Sequence, residues 1–392
     1  MGRVKLASKI TDVIKVSLAH LGEEELEEVR SAFEYGYFGL AYNVDEFEAR
    51  VGEYVGAKYV VATNTGTSAL HIAMDVLGLK AGDEVIVPSL TFVASFQAIT
   101  STGATPVPCD VDSDTLCMDP RDVEKRITGN TKVIMPIHYG GHPCDMECLM
   151  ALKEKYGLRI IEDAAHAFGS TYKGAKVGSY GDITVFSFGS QKNITCGEGG
   201  AIVSRDESFD SLCRQKRLLG MDRKSFSSSL LKERSWLYDV PVQGYRYHMS
   251  NINAGIGLAQ LKKLDSFLTR RREICRRYDS AFKNITGINF RKVDYSTIGP
   301  HIYVIRILNN HRDGLKKFLL DRNIETGISF IPNHFHSFYK TEGLSLPETE
   351  HAFKEIISLP LHCGLSDADV EEVIRGVVGF FELVSIRSPS KN

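Results

Sequence analysis

The chain has 392 residues, 43% of them hydrophobic and 24% charged, with a formal net charge of −2. That is ordinary globular composition for two or three domains. It excludes a disordered chain and, having no basic tract, gives no reason to expect a nucleic acid or an anionic membrane surface as partner. No run of about 18 apolar residues predicts a transmembrane helix, and the start has neither a signal-peptide pattern nor, with Leu6 in place of Ser or Thr after Met1-Gly2, a myristoylation motif; a cytoplasmic protein is expected.

Along the chain, short apolar runs bounded by turn residues predict strands at 59–62, 84–87, 105–109, 132–137, 158–161, 183–188 and 200–203. Between several of them lie stretches with helical spacing, such as 68–77 and Met146–Tyr156. Continuous apolar strands alternating with helices indicate an α/β fold with a mostly parallel central sheet flanked by helices. After Asn251 the pattern changes. Ile256, Leu261, Leu264, Leu268, Ile274, Tyr278 and Phe282 recur with Lys and Arg between them, which predicts a long amphipathic helix. Segments 301–307, 315–322 and 367–376 then suggest a smaller C-terminal α+β domain. The expected division is a large domain over 1–255, with an N-terminal helical segment, and the linking helix plus small domain over 256–392. Apart from Ser227-Ser228-Ser229 and a polar tail there is no low-complexity block and no repeat.

Eight cysteines are scattered through the chain. Cys144 and Cys148 could share a helix face, but no second pair stands at zinc-like spacing. Free thiols and no metal site are expected. Cys196 alone lies near the residues considered next.

Lys192 follows the strand-like run at 183–188 and precedes the Gly-rich segment Gly197-Glu198-Gly199-Gly200. A lysine beyond a buried strand can sit partly desolvated, where its amine loses a proton readily and can form a Schiff base, or it can be a plain surface lysine on a loop. Asp163 ends another run and could hold a pyridinium nitrogen, or merely cap the segment containing His166. Thr63-Asn64-Thr65-Gly66-Thr67-Ser68 leads from a strand into a helix and suits a phosphate, or is a plain capped turn. Pro88-Ser89-Leu90-Thr91-Phe92 follows a further strand, and its aromatic could lie on a ring face or in the core. Ligands of open α/β sheets sit beyond the carboxyl ends of strands, where Thr67, Phe92 and Asp163 are placed. A phosphate cradle, a ring face, a ring-nitrogen partner and an amine together describe pyridoxal 5'-phosphate (PLP).

In their order these motifs resemble the DegT/StrS-type sugar aminotransferases, PLP-dependent enzymes of fold type I in the aspartate aminotransferase-like superfamily. The resemblance includes Asn64-Thr65-Gly66-Thr67-Ser68-Ala69-Leu70, Pro88-Ser89-Leu90-Thr91-Phe92, Glu162-Asp163-Ala164-Ala165-His166 and Phe186-Ser187-Phe188. It continues with Lys192-Asn193, Gly197-Glu198-Gly199-Gly200, Met249-Ser250-Asn251-Ile252 and Ser358-Leu359-Pro360-Leu361-His362. It implies that Lys192 is the Schiff-base lysine and proton shuttle, that Asp163 holds the pyridinium and that His166 lies near the ring's phenolic oxygen. Gly66, Thr67 and Ser187 would bind the phosphate and Phe92 would stack on the ring. A homodimer with shared active sites is also implied. In Gly244-Tyr245-Arg246-Tyr247-His248-Met249 the family commonly has Asn, reaching the neighbouring subunit's phosphate, where this chain has Arg246. Arg246 could serve that phosphate or an anionic substrate. His248 also replaces a frequent Arg, and residues 331–336 look like either a substrate-pocket loop or a surface loop.

The implied reaction moves an amino group from an amino acid, glutamate by analogy, to a keto-sugar, most often a nucleotide-linked keto-deoxysugar, in surface-polysaccharide or amino-sugar biosynthesis. Related sugar dehydratases carry His in place of the lysine, so Lys192 argues against that alternative. A non-catalytic PLP-binding regulator is the other alternative, and it would not need the amine.

Overall fold

The computed structural model describes residues 13–222, 238–291 and 293–387. The Met1–Leu6 start, the Ser227–Ser229 run and the polar tail lie outside them. Two helices open the described chain, α1 (Glu23–Tyr35) and α2 (Tyr42–Val55). Seven strands then form the main sheet: β1 (Tyr59–Thr63), β2 (Glu84–Pro88), β3 (Thr105–Cys109), β4 (Thr131–Ile134), β5 (Arg159–Asp163), β8 (Ile183–Ser187) and β9 (Gly200–Ser204). A two-residue hairpin, β6 (Thr171–Tyr172) and β7 (Ala175–Lys176), stands apart. The strand order is β1-β9-β8-β5-β4-β2-β3. Only β9 runs against the rest, pairing antiparallel with both β1 and β8. The carboxyl ends of β1, β2, β5 and β8 therefore share one edge, and Gly200, where β9 begins, joins it opposite Thr63 and Ser187.

The strands are buried along most of their length because both sheet faces are covered. On one face α3 (Gly66–Val76), α4 (Val93–Thr100) and α7 (Glu207–Lys216) contribute Leu70, Met74, Phe96 and Cys213 to a core with Val61, Val85 and Val185. On the other, α2 and the long helix α8 (Asn251–Phe282) bury Phe47, Val51, Leu264 and Leu268 against Val60, Ala62 and Phe186. α5 (Pro120–Arg126) and α6 (Met146–Tyr156) cover the strands toward β3, with Val123 and Leu149 packed on Ile86, Ile134 and Ile160. α6 matches its predicted span because Asp145 caps the Cys148 amide at 3.1 Å and Gly157 ends it in the left-handed region.

α8 has 32 residues, about 48 Å at 1.5 Å per residue. Of the periodic positions, Leu264, Leu268, Ile274, Tyr278 and Phe282 are buried, whereas Ile256 and Leu261 are half-buried. Its first part packs on the main sheet. Ile274, Cys275, Tyr278 and Phe282 belong instead to a second core with β10 (Ile288–Phe290), β11 (Tyr303–Ile307) and β12 (Ile356–Leu359). These three strands form an antiparallel sheet, covered by α9 (Arg312–Leu320) and α11 (Asp367–Arg387), while α10 (Pro347–Glu355) leads into β12. The last helix runs well past the predicted 367–376, since Val377 and Phe381 continue its buried face. Residues 14–16 return to this second unit: Ile14 pairs with Ile324, and Val16 O accepts the Leu361 amide at 3.0 Å.

Candidate active site

After β1 the chain turns through Asn64 and Thr65 into α3, where Thr65 Oγ1 accepts the Ser68 amide at 3.0 Å. Helix geometry leaves the amides of Gly66 and Thr67 without an intrahelical partner, so this turn suits an anion. Gly66 is needed for space. A Cβ there would lie 2.8 Å from the Cβ and 2.9 Å from the Oγ of Ser187. The end of β8 thus brings a hydroxyl against the start of α3, forming a cradle that a side chain would fill and a phosphate oxygen can enter.

β5 supplies Asp163, whose backbone is held on both sides by the neighbouring segment. Its amide donates to Pro136 O at 2.9 Å, and its carbonyl accepts the His138 amide at 3.1 Å. The carboxylate is buried. Oδ2 accepts the Ser95 hydroxyl at 2.9 Å and Oδ1 the Ala165 amide at 3.1 Å. The Ala165 contact is a local turn bond and not a helix cap, since no helix follows Asp163, and it occupies only one oxygen. Burial pushes the Asp163 pKa up, against the two hydrogen bonds and the nearby Lys192 cation. A buried carboxylate in this state gains from a cation set beside it, which is what a protonated pyridine nitrogen offers.

His166 follows three residues later. Its Nδ1 accepts the Gly140 amide at 3.3 Å, which makes Nε2 the N–H donor. Burial, with Lys192 and Arg291 adding, keeps the ring uncharged. Lys192 stands in the turn after β8, half-buried, its amide bonded to Gly189 O at 3.1 Å. Burial lowers its pKa to about 8, while Asp163 and Glu198 pull the other way. Neutral amine is thereby accessible near physiological pH.

A cavity of about 490 Å³ unites these groups, lined by Gly66, Thr67, Phe92, Asp163, His166, Ser187 and Lys192. Phe92 is 56% exposed, so its ring is available to a flat ligand. Arg246 does not line this cavity. It is exposed, on a segment pinned by the Leu218–Arg246 and Thr63–His248 bridges and by the Asn64 amide on Tyr247 O at 2.7 Å.

Several lining residues escape sequence reasoning: Val16, Ser17, Ser95, His301, Ser329 and Phe330. The Phe330 ring lies 5.6 Å from His166 and 5.8 Å from Phe92. Residues 331–336 are not surface loop throughout. Asn333 Nδ2 donates to Ser89 O and Thr91 O, and Ser89 Oγ meets His334 Nδ1 at 2.6 Å. That loop braces the cavity's Gly327–Phe330 wall against the end of β2. Cys196 is buried outside the cavity lining, and burial pushes its thiol pKa up, as for a packing residue.

The model of the DegT/DnrJ/EryC1/StrS aminotransferase family matches residues 19–378. The chain belongs to this family. As a family member it is 37% identical over 382 residues to the spore coat polysaccharide biosynthesis protein SpsC of Bacillus subtilis, covering 95% of this chain and 98% of that one. Among solved structures, the aminotransferase TlmJ from Streptoalloteichus hindustanus matches with a TM-score of 0.89 and 35% identity, over 96% of this chain and 100% of TlmJ. The sugar aminotransferase CalS13 from Micromonospora echinospora matches with a TM-score of 0.86 and 29% identity, over 93% and 99%. The fold is that of the type I aminotransferases, and the chain is a PLP-dependent sugar aminotransferase. Among the described residues no helix is long and apolar enough to cross a membrane.

Proposed function

We propose that this aminotransferase takes its amino group from an amino acid, glutamate first, and delivers it to a nucleotide-linked keto-deoxysugar for surface-polysaccharide or amino-sugar biosynthesis. The observation that carries the reading is the pairing of Lys192, its pKa lowered to about 8, with the buried Asp163 in one cavity. Likeness to a spore coat polysaccharide biosynthesis protein supports the pathway class.

On this reading the Gly66 and Thr67 amides and the Ser187 hydroxyl hold the cofactor's phosphate, Phe92 lies on its ring, and Asp163 faces the ring nitrogen. The His166 Nε2–H is directed to the phenolic oxygen. PLP, when bound, supplies an electron sink for the carbon that loses a proton. Lys192 Nζ would move that proton from the donor's carbon to the cofactor's reacting carbon, and in the second half move one from there to the sugar carbon, so a single amine would serve both halves of a ping-pong exchange. Two chains form a homodimer in which Arg246 reaches the partner's cofactor phosphate.

The test is a glutamate half-reaction followed by a panel of keto-sugars. Glutamate should convert the bound cofactor to its amino form, and a dTDP- or UDP-linked 4-keto-6-deoxyhexose should restore the starting spectrum. A protein that glutamate loads but no keto-sugar discharges would refute the acceptor assignment.

A further inference from the structure

One wall of the cavity comes from the segment before α1 and from the β10–β12 unit, through Val16, Ser17, His301, Ser329, Phe330 and Ser358. It carries hydroxyls and an imidazole and no charged side chain. Ser329 and Ser358 already engage each other, Oγ to Oγ, at 3.1 Å. His301 is different. It is 8% exposed, and its Nδ1 is buried with no hydrogen-bond partner among the described residues.

The position of His301 is nonetheless fixed. Its amide donates to Gly140 O at 3.2 Å, and its carbonyl accepts Arg271 Nη1 at 3.2 Å. Its ring lies against His166, with centroids 4.3 Å apart and planes at 42°. Gly140 therefore ties the two histidines together, giving its amide to the His166 ring and its carbonyl to the His301 backbone. The unbonded Nδ1 is closed to the cavity, so this firmly held, cavity-lining ring can meet a ligand only through Nε2. Burial, with His166, Lys192 and Arg271 adding, keeps this imidazole uncharged. Its Nε2 donates or accepts according to the tautomer, and a hydroxyl can take the complementary part in either case. A carboxylate only accepts and gains more from a cation.

We propose that His301 binds a hydroxyl of the sugar acceptor and so selects the acceptor without contributing to recognition of the amino donor. The proposal rests on the keto-sugar reading above. His301→Phe keeps an aromatic ring against His166 and removes both nitrogens, while His301→Asn restores a donor and an acceptor in a smaller side chain.

The experiment measures both half-reactions of the holoenzyme separately, with a dTDP- or UDP-linked 4-keto-6-deoxyhexose as acceptor, and calorimetric binding of the aminated product. For His301→Phe the glutamate half-reaction should stay within about twofold of wild type, while KM for the sugar rises about tenfold and kcat moves less. Product binding should weaken by a similar factor, PLP affinity and melting temperature should hold, and His301→Asn should recover part of the loss. Equal product affinity in wild type and His301→Phe overturns the proposal, as does an equal slowing of the glutamate step. If His301→Phe does not fold, His301→Asn decides by the same split between half-reactions. Should no keto-sugar discharge the wild type, the functional reading fails and takes this proposal with it. Discharge of wild type and variant alike sinks the His301 assignment alone.

Discussion

The Ser95 hydroxyl, in the first turn of α4, donates to Asp163 Oδ2 at 2.9 Å across the top of the sheet. That bond is one of the forces opposing the upward push of burial on the Asp163 carboxyl. In Ser95→Ala the carboxyl should rise further, so less of it is ionised against the cofactor ring. PLP affinity should fall about tenfold. As pH is lowered, the variant should release cofactor at a higher pH than wild type, which a spectrophotometric titration would follow.

Asp163→Asn should separate stability from cofactor binding. The folded pKa of Asp163 is raised above its ordinary 3.8. Folding is therefore penalised as pH climbs from there through the folded pKa, and at neutral pH the apo-protein bears the whole penalty. An asparagine removes it, and the Ser95 hydroxyl can turn to accept from the new amide. Apo Asp163→Asn should melt higher than apo wild type at pH 7 while holding PLP more weakly. A lower apo melting temperature would contradict the electrostatic account.

Lys192 gives a pH dependence of the opposite sense. Its amine is lowered from 10.5 to about 8, so protonating it in the folded state is unfavourable. Apo-protein stability should accordingly rise with pH between the folded and unfolded values. Covalent capture of PLP needs the free amine, so its rate should climb with pH and level off above about 8. Borohydride should fix cofactor to wild type and leave Lys192→Ala unlabelled.

How legible this site is in the sequence depends on the kind of contact. Lys192, Asp163 and Gly66 announce themselves because each stands where an apolar run ends, and strand ends of a parallel sheet share an edge. Strand limits fall within a few residues for the same reason. The reversed direction of β9 leaves no trace in composition, since a buried strand is apolar whichever way it runs. Ser95 is a serine inside an apolar helix, with nothing local to pair it with a carboxylate 68 residues on. Val16, His301 and Phe330 reach the cavity only because the β10–β12 unit and the first described residues fold back over the sheet edge. Tertiary packing decides their place and periodicity does not record it.

The buried pair His138–Glu162 beneath the site should contribute to acid stability. His138 Nδ1 accepts the Cys144 amide at 3.1 Å, so Nε2 donates to Glu162 Oε2 at 2.9 Å. The other carboxylate oxygen takes the Gly181 amide at 2.6 Å and the Thr184 hydroxyl at 2.8 Å. These partners hold the Glu162 pKa below its ordinary 4.5 despite burial. Its contribution is thus complete above that value and lost as pH falls through the folded pKa. His138→Ala leaves the carboxylate short of one donor and should destabilise the protein by about 3 kcal/mol in urea unfolding at neutral pH.

Arg246 is exposed and absent from its own chain's cavity lining, which makes its service to a partner testable by mixing inactive chains. Lys192→Ala lacks the amine and Arg246→Ala the guanidinium. If Arg246 acts across the interface, a hybrid dimer has one site with neither group and one with both intact. Random pairing of equal amounts then places about a quarter of all sites in the intact state, because half the dimers are hybrids and each contributes one good site. Co-refolded chains should recover activity toward that fraction. If Arg246 instead served its own chain, each hybrid site would lack one group and the mixture would remain as weak as its components.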